Sequence, residues 1–217
     1  VTFTAVLPVK ELALAKSRLG PASPARSALA LAMAQDVAVA AGLVCTVLVV
    51  TDDPLAASDI PATHIEPDRP RSGLTAAVVH GVAVALRRDP GTGVVVLAAD
   101  LPALRPAALA AVLRALDRPE QPPTPRTAGV VADAAGIGTV LLAAAAGTTL
   151  VPAFEGGSFA KHRAGGAVDL TGLADAGMRR DVDTVADLAA AVQLGVGAAT
   201  AAALARYREV WRAAGLT

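Results

Sequence analysis

Apolar runs that lack polar alternation recur along this chain, and stretches of helical periodicity separate them. Val1 to Val9 is short, apolar and rich in β-branched residues, and with Pro8, Lys10 and Glu11 closing it, it reads as a buried first strand. Ser23 and Pro24 then open a helix over Ala25 to Ala41, with Ser23 as N-cap, Pro24 in the first turn and Gly42 as the stop. The pattern repeats as a strand over Thr46 to Thr51, a turn at Asp52-Asp53-Pro54, a short element around Ile65 and a helix from Gly73 to Arg88. Val94 to Ala99 has the all-apolar character of a central parallel strand covered on both faces. Arg105-Pro106 opens a helix to Leu116, Pro119 to Pro125 reads as a surface loop, and strands follow near Gly129 to Ala132 and Thr139 to Ala143. A glycine-rich polar segment over Val151 to Gly166 comes next, and two alanine-rich helices after Thr184 end the chain. Strand and helix in alternation predict an α/β protein, a single domain over 1–217 built on one doubly wound, mostly parallel, Rossmann-like three-layer sheet.

Composition narrows the partners. Hydrophobic residues make up 54% of the chain but aromatics only 2%, so the core must be filled by Ala, Val and Leu, which favours tight helix-on-sheet packing. With 19 basic and 19 acidic side chains the net charge is zero, so no global field draws nucleic acid or a membrane surface, and any anion site must be local. Charge or proline interrupts every apolar run before membrane-spanning length, and a cytoplasmic location is expected. The single cysteine, Cys45, reads as a small buried hydrophobe rather than a nucleophile. Nothing in the sequence decides the oligomeric state, and a homodimer is left open.

Four segments carry chemistry. The loop from Leu7 to Leu19 follows the first strand, where doubly wound sheets bind phosphates, and it groups Lys10, Lys16 and Arg18; the alternative is a solvated basic loop, and neither GxGxxG nor a Walker pattern is present. Asp100 ends the central strand, where a carboxylate faces the ligand crevice and can hold Mg²⁺ beside a nucleotide phosphate, unless it serves only as a cap or turn residue. In Asp181-Val182-Asp183-Thr184 the spacing puts both carboxylates on one side of an extended segment, while Asp183 could instead cap the helix that follows. Gly136-Ile137-Gly138-Thr139 and Phe154 to Arg163 combine glycines, the hydroxyls of Thr139 and Ser158, and the cations Lys161 and Arg163, a set suited to a small phosphate-bearing acid if the glycines are more than turn formers. His162 reads as structural in preference to catalytic.

Read together, Pro8-Val9-Lys10, Ala15 to Leu19, Ser72 to Ala77, Ala99 to Leu104, Gly138-Thr139, Phe154 to His162, Gly166-Ala167 and Asp181 to Thr184 resemble the 2-phospholactate and phosphoenolpyruvate guanylyltransferases of coenzyme F-420 biosynthesis. The resemblance spans nearly the whole chain. It implies a fold like that of the nucleotide-diphospho-sugar transferases and a reaction joining GMP from GTP to the phosphate of a three-carbon acid, with release of pyrophosphate. By position it implies Asp100, Asp181 and Asp183 as Mg²⁺ ligands, with Asp100, Asp183 and Lys16 catalytic. It places Lys10, Lys16, Arg18, Gly73 and Thr75 at the nucleotide and Thr139, Glu155 and Ser158 at the acid. Two residues depart from the family pattern: Thr75 replaces the usual asparagine, and Glu155 replaces the usual glycine, so that a backbone contact survives there while the carboxylate is expected to point away. A sugar-phosphate or molybdopterin nucleotidyltransferase would carry a longer, glycine-rich first loop, and a catalytically inactive nucleotide-binding module is the reading from another class. The alanine-rich, lysine-poor composition is that of a GC-rich genome, and the branch of the family in such organisms points to phosphoenolpyruvate as the acid rather than 2-phospholactate.

Overall fold

The computed structural model describes residues 2–20, 23–116 and 128–216; the loop expected over Pro119 to Pro125 lies outside them. The first half alternates β1 (Phe3–Pro8), α1 (Pro24–Gly42), β2 (Thr46–Val50), α2 (Pro54–Asp59), β3 (His64–Glu66), α3 (Leu74–Arg88), β4 (Gly93–Leu97) and α4 (Pro106–Leu116). The second half continues with β5 (Gly129–Ala132), β6 (Thr139–Ala144), α5 (Ser158–Ala164) and β7 (Val168–Asp169). It ends in α6 (Ala176–Arg179), α7 (Val185–Leu194), α8 (Ala198–Arg206) and α9 (Arg208–Ala213).

The seven strands form one sheet in the order β3-β2-β1-β4-β6-β5-β7. β1 pairs in parallel with β2 on one side and β4 on the other, and only β6 runs against its neighbours. Alternate residues explain the unbroken apolar strands. Ala5, Leu7, Val47, Val49, Val95 and Leu97 pack beneath α1 and α4, whereas Val6, Leu48, Val50, Val94 and Val96 pack beneath α3. Strand order reverses between β1 and β4, so the loops leaving these two strands diverge and open a crevice at their carboxyl ends. Because β6 is antiparallel to β4, its first residue, Thr139, sits at the same edge.

The C-terminal helices close over this edge from the α1 side. Asp36 on α1 accepts from Ala199 N (3.0 Å) and Thr200 N (2.8 Å), neutralising free amides at the start of α8. Gly177 on α6 passes so near the loop after β4 that a Cβ there would lie 2.4 Å from Ala103 O. Val182 N then donates to Asp100 O (3.1 Å), which docks the Asp181–Asp183 segment beside the end of β4.

Several sequence expectations change. The turn at Asp52-Asp53-Pro54 is the start of α2: Asp53 caps it through Leu55 N and Ala56 N, with Pro54 as its first residue. The polar segment after Val151 contains α5. Thr184, not Asp183, caps α7, in a reciprocal capping box with Asp187, and this frees the Asp183 carboxylate. Cys45 precedes β2 half-buried, and burial pushes its thiol up to about 12, which suits the packing role expected. Among the described residues no helix is long and apolar enough to cross a membrane.

Candidate active site at the switch point of the sheet

The loop after β1 is rigidified from below by two residues that the sequence reading missed. Asp53 Oδ2 accepts from Leu12 N (2.9 Å), and the buried Arg26 guanidinium donates to Ala13 O (2.6 Å) and Gly20 O (2.7 Å). A charged side chain buried in the first turn of an apolar helix was the one available sign of Arg26. Lys16 takes a left-handed backbone, φ 56°, a conformation that costs a non-glycine residue about 1 kcal/mol. Its ammonium donates to the Asp100 carboxylate and to Asp183 Oδ1 (2.9 Å). Arg18, largely exposed, stands 3.6 Å from Asp183 Oδ2. Thus three segments, distant in sequence, meet at one point.

Burial by itself would lower the Lys16 pKa, but the combined attraction and hydrogen bonding of Asp100 and Asp183 outweigh it and raise the pKa above 10.5. Lys16 therefore stays charged. Among the described residues no three His, Cys, Asp or Glu side chains are grouped to share a metal ion, yet Asp181 lies within electrostatic reach of Asp100 and Asp183. Burial, then repulsion from Asp100, Asp133 and Asp183, pushes its carboxyl up to about 6, which still leaves it mostly ionised at neutral pH.

The other wall of the crevice is neutral. Thr139 Oγ1 lies 2.9 Å from His162 Nδ1, and His162 Nε2 accepts from Ala153 N (2.8 Å). Ser158 and His162 are the buried residues of α5, one helical turn apart on the face turned to β6. Gly156 and Gly157 lead into α5 with φ 48° and 63°, and an added Cβ at either would meet nothing within 4 Å, so there is space beside their backbone but strain for any other residue. Asp133 closes the β5–β6 turn by accepting from Ile137 N (2.9 Å) and Gly138 N (2.7 Å).

The remaining predicted residues join these walls. Thr75, in the first turn of α3, accepts from Phe154 N (3.1 Å), so the hydroxyl that replaces the family asparagine ties α3 to the acid-side loop. Glu155 turns its carboxylate toward Gly73, where a Cβ would lie 2.9 Å from Oε1, and its carbonyl accepts from Lys161. Arg163, expected beside an anion, instead donates to Ala167 O past the end of α5. Lys10, Lys16, Asp100 and Thr139 line one cavity of about 260 Å³, floored by Pro8, Val96 and Leu97.

A cation between two carboxylates, in a cavity shared with a second lysine and a hydroxyl, is an arrangement suited to phosphates: cations meet the anions, and a carboxylate pair can recruit a counter-cation. The sequence profile of the MobA-like NTP transferase domain matches residues 26–168. Phosphoenolpyruvate guanylyltransferase from Thermomonospora curvata is 47% identical over 213 residues, covering 95% of this chain and 90% of that one. The Streptomyces avermitilis protein of the same name is 50% identical over 212 residues, 94% of each chain. In a structure described as a nucleotide-diphospho-sugar transferase from Desulfovibrio desulfuricans G20, 99% of both chains superpose with a TM-score of 0.70 at 18% identity, a likeness of fold alone. Profile, relatives and the phosphate-handling geometry agree: the chain is a nucleotidyltransferase of the MobA-like NTP transferase fold and belongs to the family of the phosphoenolpyruvate guanylyltransferases.

Proposed function

We propose that this enzyme transfers GMP from GTP to the phosphate of phosphoenolpyruvate in the route to coenzyme F-420. The observation that carries the reading is the convergence of Lys16, Asp100 and Asp183 at the switch point, where Lys16 and Asp100 share one cavity with Thr139. An oxygen of the acid's phosphate forms a bond to the α-phosphorus of GTP, the bond from that phosphorus to the α–β bridging oxygen breaks, and pyrophosphate leaves. The attacking phosphate is a dianion at neutral pH because its second pKa is about 6, so no general base is needed. What the chain supplies is alignment and charge compensation. Lys16, with Lys10 and Arg18 near it, meets the triphosphate; the hydroxyls of Thr139 and Ser158 and the backbone at Glu155 hold the acid.

The residues fit a magnesium ion. Asp100 and Asp183 converge on one cation, the Lys16 ammonium, and Mg²⁺ needs only one or two carboxylates when phosphates and water complete its shell. When bound there, Mg²⁺ would offset phosphate charge. Asp100 and Asp183 would hold it, and the Lys16 ammonium would be left to meet the phosphates.

Mass spectrometry of products formed from GTP with a panel of phosphorylated three-carbon acids tests the reading. With phosphoenolpyruvate and 2-phospholactate at equal concentration, the guanylylated product should carry enolpyruvate. A lactate product would reverse the choice of acid, and no pyrophosphate with any acid would refute the transferase reading.

A further inference from the structure

Among the described residues, His162 is the one buried titratable group beside the crevice that the reaction above leaves without a task. Its ring is 3% exposed, its Nε2 faces Ala153 N at 2.8 Å, and its Nδ1 faces Thr139 Oγ1 at 2.9 Å. A backbone amide can only donate, so Nε2 must present its lone pair to Ala153. In the neutral ring the proton then resides on Nδ1 and is donated to Thr139 Oγ1. That bond occupies a lone pair of the hydroxyl and directs its own hydrogen elsewhere. Thr139 lines the cavity, so elsewhere is the crevice.

From this chain of donors we infer that His162 is a positioning residue that fixes the polarity of the Thr139 hydroxyl, making it a hydrogen-bond donor to the phosphate of the acid. The opposite tautomer would draw the Thr139 hydrogen onto Nδ1 and leave a lone pair facing an anion that has only acceptors. The inference rests on the proposed place of Thr139 at the acid phosphate. Burial first, and the neighbouring Lys161 charge second, lower the His162 pKa and keep the ring neutral. Phe154 packs edge-on against the ring, centroids 5.0 Å apart, which holds its plane. The same ring thus ties three elements: β6 through Thr139, the loop before α5 through Ala153, and α5 itself.

Two substitutions separate this task from a merely structural one. His162→Gln can keep an acceptor where Nε2 meets Ala153 N but loses the donor to Thr139; His162→Asn can keep the donor and loses the acceptor. His162→Gln is expected to raise KM for phosphoenolpyruvate about tenfold, the weight of one hydrogen bond to a charged group, with KM for GTP and the melting temperature little changed. In a Thr139→Val background the same substitution should have no further effect on that KM, since there is no hydroxyl left to orient. His162→Asn should preserve the KM for the acid while lowering the melting temperature. Additive effects of His162→Gln and Thr139→Val, or equal weakening of both substrates, would overturn the inference. Imidazole ¹⁵N spectra, assigned among the three histidines by loss of one signal set in His162→Gln, give a substrate-free check. They should show the Nδ1–H tautomer, and an Nε2–H signal refutes the polarity even if the wild type proves active. Should the wild type accept no phosphorylated acid, the functional reading fails while the tautomer spectrum still decides the polarity.

Discussion

On the proposed reading, the two walls of the crevice hold an anion by opposite physics. On the Lys16 side, ionised groups from the loop after β1, the end of β4 and the segment before α7 neutralise one another. On the Thr139 side, a neutral imidazole, a hydroxyl and a backbone amide are joined by short-range hydrogen bonds, with Ser158 and His162 buried. Charged contacts are strong and exchangeable, so a cation and a triphosphate can replace them; neutral buried bonds are directional, so they fix the pose of a small acid. In the proposed reaction the first wall would take the substrate that brings most charge, the second the one that must be recognised by shape.

The sharpest way to break this contrast is to remove charge from the first wall. Asp100→Asn and Asp183→Asn are each expected to cut turnover by about a thousandfold or more while circular dichroism and melting stay near wild type, because an amide keeps the shape but coordinates Mg²⁺ poorly. Near-normal rates at saturating Mg²⁺ would take that residue out of the metal site. Lys16→Ala should weaken GTP more than the acid, by roughly tenfold or more in KM, since it removes a charge-assisted bond to phosphate. Steady-state kinetics with each substrate varied in turn decides this. On the second wall Ser158→Ala should do the reverse, raising KM for the acid by about tenfold with GTP unaffected. Equal changes for both substrates would dissolve the distinction between the walls.

The smallest effect is linkage to pH, and here the walls carry opposite signs. His162 has a folded pKa below 6.5, so the unfolded chain binds more protons in that window and stability falls as pH drops below about 6.5. Asp181 has a folded pKa raised from 3.8 to about 6, so the folded chain binds more protons and stability falls as pH rises from about 4 to 6. In denaturant titrations from pH 4 to 7.5, Asp181→Asn should steepen the acid-side loss by about 1 kcal/mol after solvent screening, and His162→Gln should flatten it. Identical pH profiles for the two variants would contradict the assignment of opposite signs.

How far the sequence reached depends on the range of the interaction involved. The all-apolar run at Val94, the Ser23-Pro24 start of α1 and the charged stop after β1 are local signals, and the elements formed where they predict. Asp100 and Lys16 were legible because strand ends in a doubly wound sheet are ligand positions. The 54–59 helix was read as a turn because an Asp-Pro start serves both, and only six residues follow to show periodicity. α5 escaped for the same reason, being seven residues long and preceded by two glycines.

Alternating hydrophobicity, caps and breakers thus determined by themselves the α/β class, most strand and helix positions and the family motifs, since each depends on residues within one turn or one strand of each other. Only the tertiary structure decided that Thr184 caps α7 and leaves Asp183 to meet Lys16, that Arg163 turns away, and that Asp53 and Arg26 brace the first loop. Lys16 and Asp183 are 167 residues apart, and their meeting depends on Val182 docking at Asp100 and on α8 packing against α1. Hydrogen bonds and ion pairs reach only about 3 to 4 Å, so which partners a polar side chain finds is fixed by how the layers pack.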